Sequence, residues 1–137
     1  MKKLSMVSLL LIASLLAGCQ SKPVTGENIS VAGGSYKNVT AKELNAILKN
    51  KDFIFINVHI PFAGNISGTD LSIPYDQIEQ NLAQLPAEKD AKIVLYCSSG
   101  RMSQIAAEEL VSLGYTNVWN LKGGMVDWKQ AGFELEK

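Results

Sequence analysis

The chain has 137 residues, of which 47% are hydrophobic and 19% charged, the composition of one globular domain of ordinary size. Its 13 basic and 13 acidic residues cancel to a formal net charge of zero, and its four tyrosines and two tryptophans are scattered rather than interleaved with basic residues. These features argue against a nucleic-acid partner, because the sequence has neither a basic field for phosphates nor a stacking platform for bases.

The first eighteen residues have the features of an export signal rather than of a folded element. Lys2 and Lys3 give a positive start, and residues 4–17 form an apolar run that is too short for a membrane span. The run ends in Leu-Ala-Gly-Cys at residues 16–19, which resembles the lipobox of bacterial lipoproteins. The resemblance implies that residues 1–18 are a lipoprotein signal peptide and that the thiol of Cys19 carries diacylglycerol.

Lipidation would place the protein outside the cytoplasm, anchored to a bacterial membrane on its periplasmic or outer surface. The alternative is an ordinary signal peptide that ends near a cysteine. Acylation of Cys19 would leave Cys97 as the only free thiol, because the chain has two cysteines. Residues 20–34 are rich in Gly, Ser, Pro and other polar residues, so we expect 19–34 to form a flexible tether that reaches about 20 Å.

Strands and helices alternate through the rest of the chain. Residues 35–39 predict a first strand, and Thr40 with Glu43 forms a capping box that begins a helix. The apolar run at 52–58 predicts a strand that is buried on both faces. A loop rich in Gly, Pro and Asn follows at 61–74.

The second half of the chain continues this alternation. Asp76 and Glu79 form another cap-and-N3 pair, which predicts a helix before Pro86. Beyond it the pattern predicts a buried strand at 92–96, a helix lined by Ile105, Ala106, Leu110 and Leu113 and ended by Gly114, a strand at 118–121, and a helix at 125–131. The alternation indicates an α/β protein, a three-layer α/β/α sandwich around a small, mostly parallel sheet.

The segment that follows the strand at 92–96 carries the strongest chemical signal. It reads Cys97-Ser98-Ser99-Gly100-Arg101-Met102-Ser103 and leads directly into a helix. Ligands of open α/β sheets bind at the carboxyl ends of strands, and a loop entering a helix turns several amides toward one point. Such a loop favours an anion, whether a thiolate, an oxyanion or a persulfide. Gly100 supplies the positive φ such a loop needs, and Arg101 adds a cation.

Three separated motifs resemble those of the rhodanese-like sulfurtransferases. Cys97, Gly100 and Ser103 match the family's Cys-x-x-Gly-x-(Arg or another residue)-Ser loop. The segment 121–128, Leu-Lys-Gly-Gly-Met-Val-Asp-Trp, matches its closing Leu-x-Gly-Gly-x-x-x-Trp signature, and Gly68 with Ile73-Pro74 is similar to a Gly-Ala-x-x-Ile-Pro segment with one extra residue. The resemblance implies a rhodanese-like domain over residues 35–137.

The resemblance also implies a function and a set of site residues. Cys97 would be the catalytic residue that accepts sulfane sulfur as a persulfide. The donor, thiosulfate or another small sulfur-containing anion, would bind to the loop residues Ser98, Ser99, Gly100, Arg101, Met102 and Ser103. The acceptor would be a small thiol, cyanide or a protein thiol, and no metal or organic cofactor is implied. The alternative is a non-catalytic rhodanese-like module that binds or regulates a partner at the cell envelope.

The chain departs from the family pattern beside the loop. Family members commonly have Asp-x-Arg where this chain has Asn57-Val58-His59, and Gly-His-Ile where it has Gly64-Asn65-Ile66. We expect these changes to remodel one wall of the site's mouth, with His59 near that mouth. A phosphatase loop of the Cys-x5-Arg type is not supported, because Ser103 occupies the position of its arginine.

Overall fold

The computed structural model describes Gly18 and residues 20–136. The predicted signal peptide over 1–18, apart from Gly18, and the lipidation site Cys19 lie outside the described residues. Within those residues, no helix has both the length and the apolar character that crossing a membrane requires.

A single mixed sheet of six strands forms the middle layer, in the order β1-β2-β6-β5-β3-β4. The strands β2, β6, β5, β3 and β4 run parallel to one another, and β1 is antiparallel to β2 at one edge. Their bounds are β1 Glu27–Val31, β2 Gly34–Val39, β3 Ile54–Asn57, β4 Leu71–Ser72, β5 Ile93–Tyr96 and β6 Val118–Leu121.

Among the residues that the structure describes, three α-helices cover the two faces of the sheet: α1 Ala41–Leu48, α2 Arg101–Ser112 and α3 Gly124–Gln130. The buried face of α2 packs on one side of the sheet, and α1 and α3 pack together on the other. Strand β5 shows why both faces need cover, because Ile93 and Leu95 join the α2 side while Val94 and Tyr96 join the opposite side. The predicted three-layer α/β/α sandwich is therefore confirmed.

Local sequence signals explain where several elements begin. The capping box at the start of α1 is confirmed: Glu43 N–H donates to Thr40 Oγ1 at 3.2 Å, and Thr40 N–H donates to Glu43 Oε2 at 2.8 Å. Strand β6 has the predicted bounds, and Gly114, at φ +93°, follows α2 as expected.

The structure differs from the sequence predictions in three segments. The short strand β4, Leu71–Ser72, lies inside the loop predicted at 61–74 and pairs with β3. Strand β1 lies inside the segment that the sequence assigns to a flexible tether, because it pairs along its length with β2 and places Ile29 and Val31 against the core. The folded part of the chain thus begins before residue 35. The predicted second helix is a kinked 3₁₀ helix over Glu79–Gln84 without a side-chain cap. Its Asn81 has non-helical torsion angles and donates to the carbonyl of Gln77 at 2.7 Å.

The chain that precedes β1 crosses the α1 side of the sheet. Val24 packs in the apolar cluster that contains α1 and α3. Residues 21–24 border the same surface groove as Asp52 and Lys92, which precede β3 and β5. This part of the chain therefore lies at the edge of the sheet where the parallel strands begin.

Candidate active site

Cys97 follows β5 directly and lies at the carboxyl edge of the parallel strands. Cys97 is only 1% exposed and packs in the apolar cluster on the α2 side of the sheet. The chain then turns through Ser98, Ser99 and Gly100 into the first residue of α2, Arg101. The loop is thus fixed at one end by the central strand and at the other by a helix.

The sulfur of Cys97 is held by donors from its own loop. The backbone N–H of Gly100 donates to Cys97 Sγ at 3.0 Å, and the hydroxyl of Ser103 donates to the same sulfur at 3.4 Å. Ser103 is fully buried, and its hydroxyl also lies 3.2 Å from the carbonyl of Gly100. Gly100 has φ +102°, which an L-residue with a side chain rarely adopts, so the glycine predicted here is required for the turn.

The first two carbonyls of the loop accept hydrogen bonds from the start of α3. The N–H of Met125 donates to the carbonyl of Cys97 at 2.8 Å, and the N–H of Val126 donates to that of Ser98 at 2.9 Å. A Cβ on Gly124 would lie 2.3 Å from the Cys97 carbonyl oxygen, so only glycine allows this approach. Residues 123–124 therefore form a tight turn packed beside the loop. Its bonds to the loop are not visible in the sequence, because they join segments far apart in the chain.

The electrostatic surroundings of the loop favour an anion. The amide of Gly100, the N-cap of α2, donates to the sulfur at the end where the helix carries a partial positive charge. Arg101 is exposed, and no carboxylate among the described residues forms a salt bridge with it. Ser99 is exposed as well, whereas Ser98 and Met102 are half-buried. Met102 packs against the core on the α2 side.

The segment after β3 forms the neighbouring wall of the site. Val58 N–H donates to the carbonyl of Tyr96 at 2.9 Å, so the chain leaving β3 runs beside the chain leaving β5. His59 follows, with its backbone N–H bonded to Asn57 Oδ1 at 3.0 Å. The ring nitrogen Nδ1 of His59 is buried and has no hydrogen-bond partner among the described residues. His59 therefore follows the strand next to β5, and its place at the mouth of the site stays a prediction.

The two departures from the family pattern contact each other. Asn57 Nδ2 donates to Asn65 Oδ1 at 3.0 Å and to the carbonyl of Gly64 at 3.0 Å. Asn57 is 2% exposed, so these bonds are made inside the protein. The sequence marks both positions as unusual but gives no sign that they pair, because they are separated by a loop.

Tyr96 forms hydrogen bonds with the same wall of the site, through residues 66 and 69. Its hydroxyl accepts the N–H of Ile66 at 3.0 Å and lies 2.7 Å from Thr69 Oγ1. The Thr69 hydroxyl also donates to the carbonyl of Ile66 at 2.6 Å, and the Tyr96 hydroxyl donates to Asn65 Oδ1 at 3.2 Å. Burial raises the pKa of Tyr96 above its ordinary value, and its hydrogen bonds with Thr69 and the N–H of Ile66 partly oppose this rise.

Within the described part of the chain, no group of three or more His, Cys, Asp and Glu side chains is close enough to hold a metal ion.

Comparison with known proteins agrees with this geometry. Residues 40–131 match the family model described as Rhodanese-like domain. The structure is similar to the rhodanese-like domain protein of Staphylococcus aureus, with a TM-score of 0.60, 28% identity, and coverage of 74% of this chain and 99% of that one. It is also similar to the thiosulfate sulfurtransferase of Pseudomonas aeruginosa, with a TM-score of 0.62, 26% identity, and coverage of 73% of this chain and 20% of that one.

Among curated proteins, the chain is similar to the tRNA uridine(34) hydroxylase of Escherichia coli, with 30% identity over 100 residues, which is 69% of this chain. The chain spans only 29% of the length of that relative. Its relatives thus include enzymes in which a region like this one is joined to other sequence. Because the family model covers well over half of its residues, the chain belongs to the rhodanese-like domain family.

Proposed function

We propose that the protein is a sulfurtransferase that moves sulfane sulfur from thiosulfate or a related anion to a thiol or to cyanide through a persulfide on Cys97. The observation that carries this proposal is the sulfur of Cys97 set 3.0 Å from the N–H of Gly100, at the start of α2. A negative sulfur in that position is stabilised by the amide and by the helix dipole.

The first half of the reaction is a displacement at sulfur. The Cys97 thiolate attacks the outer sulfur of thiosulfate, a new S–S bond forms, and the original S–S bond breaks with its electron pair leaving on sulfite. Cys97 then carries a persulfide. Arg101 and the loop amides stabilise the departing dianion, because a cation and N–H donors beside the thiol offset the charge that develops there.

The second half returns the enzyme to its starting state. A thiolate or cyanide attacks the outer sulfur of the persulfide and leaves with it, as a new persulfide or as thiocyanate. The bond to Cys97 breaks with its electron pair on Cys97 Sγ, so no oxidant or reductant is consumed.

Mass spectrometry of the full-length protein tests the proposal. Incubation with thiosulfate is expected to add one sulfur atom, about 32 Da, to the peptide that contains Cys97, and cyanide is expected to remove it as thiocyanate. The Cys97→Ser variant lacks the nucleophile and is expected to show neither product. If the wild-type protein forms neither the adduct nor thiocyanate, the catalytic proposal is wrong, and a binding or regulatory module is favoured.

The same assay measures the contribution of Arg101. Replacing it as Arg101→Gln removes a charge-assisted contact to the donor, so kcat/KM for thiosulfate is expected to fall roughly tenfold. Lys129→Gln makes the same charge change at the far end of α3 and is expected to have little effect. Equal losses in the two variants would mean that Arg101 acts only through net charge.

We also propose that the protein is a lipoprotein, anchored through Cys19 outside the cytoplasm. The support is the Leu-Ala-Gly-Cys sequence after an apolar run that starts with two lysines. Two acyl chains would hold it stably, because each buried CH₂ contributes about 0.8 kcal/mol. A donor and an acceptor would then have to be present in the envelope.

A further inference from the structure

A polar cavity of about 350 Å³ lies beside the active-site loop, between β2, β6 and the first turn of α2. Ser99 and Gly100 of the loop form part of its wall. The other groups that matter are Tyr36 and Asn38 from β2, Asn120 and Lys122 from β6 and its end, and Arg101 and Gln104 from α2. The sulfurtransferase chemistry described above uses only Arg101 of these six.

The floor of this cavity contains a buried amide with an unused oxygen. Asn120 is 3% exposed, and its Nδ2 donates to Asn38 Oδ1 at 2.9 Å across the β2–β6 pair. The Oδ1 atom of Asn120 has no donor among the described residues. A buried acceptor without a donor costs free energy, so a ligand that supplies an N–H or O–H here recovers that cost.

The rim of the cavity carries two cations. Arg101 forms no salt bridge with any described carboxylate. Lys122 has Glu27 at 3.7 Å, but both side chains are more than 60% exposed, so water screens this pair. Glu108, which does not line the cavity, places a negative charge near Tyr36 in the cavity wall. The rim therefore favours an anionic group, and the floor favours a hydrogen-bond donor.

We infer that this cavity binds a small ligand that carries both a carboxylate and an N–H donor, the chemistry of an amino acid or a short peptide. The carboxylate lies between Arg101 and Lys122, and the buried Asn120 side chain turns toward the cavity so that its Oδ1 accepts the N–H group. If the protein is the sulfurtransferase proposed above, the cavity is the subsite for the sulfur acceptor, a thiol of this amino-acid class. The volume is at the lower end of the range for ligand sites, which fits a molecule of this size.

Binding is tested with a compound that cannot accept sulfur, so that the site is examined separately from the reaction. S-methylcysteine has the carboxylate and the ammonium group, and its thiol is blocked. Titration into the isotope-labelled full-length protein in detergent is expected to shift the side-chain NH₂ signals of Asn120 and Asn38, with a dissociation constant in the millimolar range. Two matched compounds each lack one group: S-methylcysteine methyl ester has no carboxylate, and 3-(methylthio)propionate has no N–H. Each is expected to bind roughly tenfold more weakly.

A pair of variants tests the rim. Lys122→Gln is expected to weaken S-methylcysteine binding roughly threefold, the size expected for an exposed charge. Lys37→Gln makes the same charge change on β2, but Lys37 lies over the ring of Trp119, which packs on the other face of the sheet. This control is expected to bind as the wild type does. The Asn120→Leu variant removes the floor acceptor, and Lys122→Gln keeps the test valid if that core change prevents folding.

Acceptor selectivity tests the link to sulfur transfer. The ratio of kcat/KM for cysteine to that for 2-mercaptoethanol, which has no carboxylate or N–H, is expected to fall roughly threefold in Lys122→Gln. Equal binding of the three probe compounds, or no shift of the Asn120 and Asn38 signals, would overturn the site. A protein that binds S-methylcysteine here but never forms a Cys97 persulfide would overturn the sulfurtransferase proposal and the acceptor role, and would leave the binding site standing.

Discussion

At the residue scale, the Ser103 hydroxyl has one proton and two acceptors. It lies 3.4 Å from Cys97 Sγ and 3.2 Å from the carbonyl of Gly100. A negative sulfur is the better acceptor, since hydrogen bonds to ions are about twice as strong as those between neutral groups. The Ser103 hydroxyl therefore donates to Cys97 Sγ when the sulfur is negatively charged. The Gly100 N–H donates to the sulfur in either charge state.

Tyr96 links the wall of the site to the pH dependence of stability. Burial keeps its pKa above the ordinary value of 10.0, so the fold prefers the neutral phenol. The stabilisation is fully present below about pH 10 and is lost as the pH rises through the folded-state pKa. At pH 8, Tyr96→Phe is expected to lower the free energy of unfolding by about 1–3 kcal/mol, because the N–H of Ile66 loses its acceptor.

The pH comparison separates titration from packing. Between about pH 8 and pH 11 the free energy of unfolding is expected to fall more in the wild type than in the Tyr96→Phe variant. The difference between the two, measured by denaturant unfolding, therefore becomes smaller as the pH rises. Phe55→Leu alters the ring that lies 4.8 Å from that of Tyr96 and adds no ionisable group. Its destabilisation is expected to be the same at both pH values, and a constant gap for Tyr96→Phe as well would contradict this account.

At the element scale, α3 fixes the shape of the active-site loop. Its first two amides after Gly124 bind the carbonyls of Cys97 and Ser98. The Gly124→Ala variant would place a methyl group 2.3 Å from the Cys97 carbonyl oxygen, so α3 and the loop must separate. We expect a loss of about 2–3 kcal/mol in the free energy of unfolding, together with reduced sulfur transfer.

Gly132 provides the matched control for this substitution. It also has a positive φ, +91°, but a Cβ there would have no atom within 4 Å. Gly132→Ala therefore measures backbone strain alone, about 1–2 kcal/mol, and is expected to leave sulfur transfer intact. If the two variants lose the same stability and activity, the contact between α3 and the loop is not what shapes the site.

Elements whose signals are local were the ones the sequence could predict. Thr40 and Glu43 bond to each other three residues apart, and Gly100 needs its positive φ within one short turn. Strand β1 had a weak local signal, because Ile29 and Val31 alternate with polar residues ahead of Gly33-Gly34. The Gly, Ser and polar composition of residues 20–34 nevertheless favoured a tether. The pairs Asn57–Asn65 and Asn38–Asn120 were out of reach, since each joins residues that only the fold brings together.

At the scale of the whole molecule, the lipid anchor is tested by fractionation. Cys19→Ala is expected to abolish incorporation of labelled palmitate and to release the protein from membranes, because the acyl chains supply the binding free energy. Cys97→Ser removes the other cysteine and is expected to stay labelled and membrane-bound. Palmitate incorporation that persists in Cys19→Ala would rule out this anchor.

The path of the chain before β1 gives the anchored protein a direction. Residues 21–24 lie near Asp52 and Lys92, at the edge where the parallel strands begin, whereas Cys97 follows the end of β5. A strand of four residues spans about 13 Å. A lipid on Cys19 would thus turn the starting edge of the sheet toward the bilayer and the thiol toward the aqueous side. Such an enzyme would exchange sulfur with molecules that diffuse in water or with proteins that stand above the membrane, rather than with lipids.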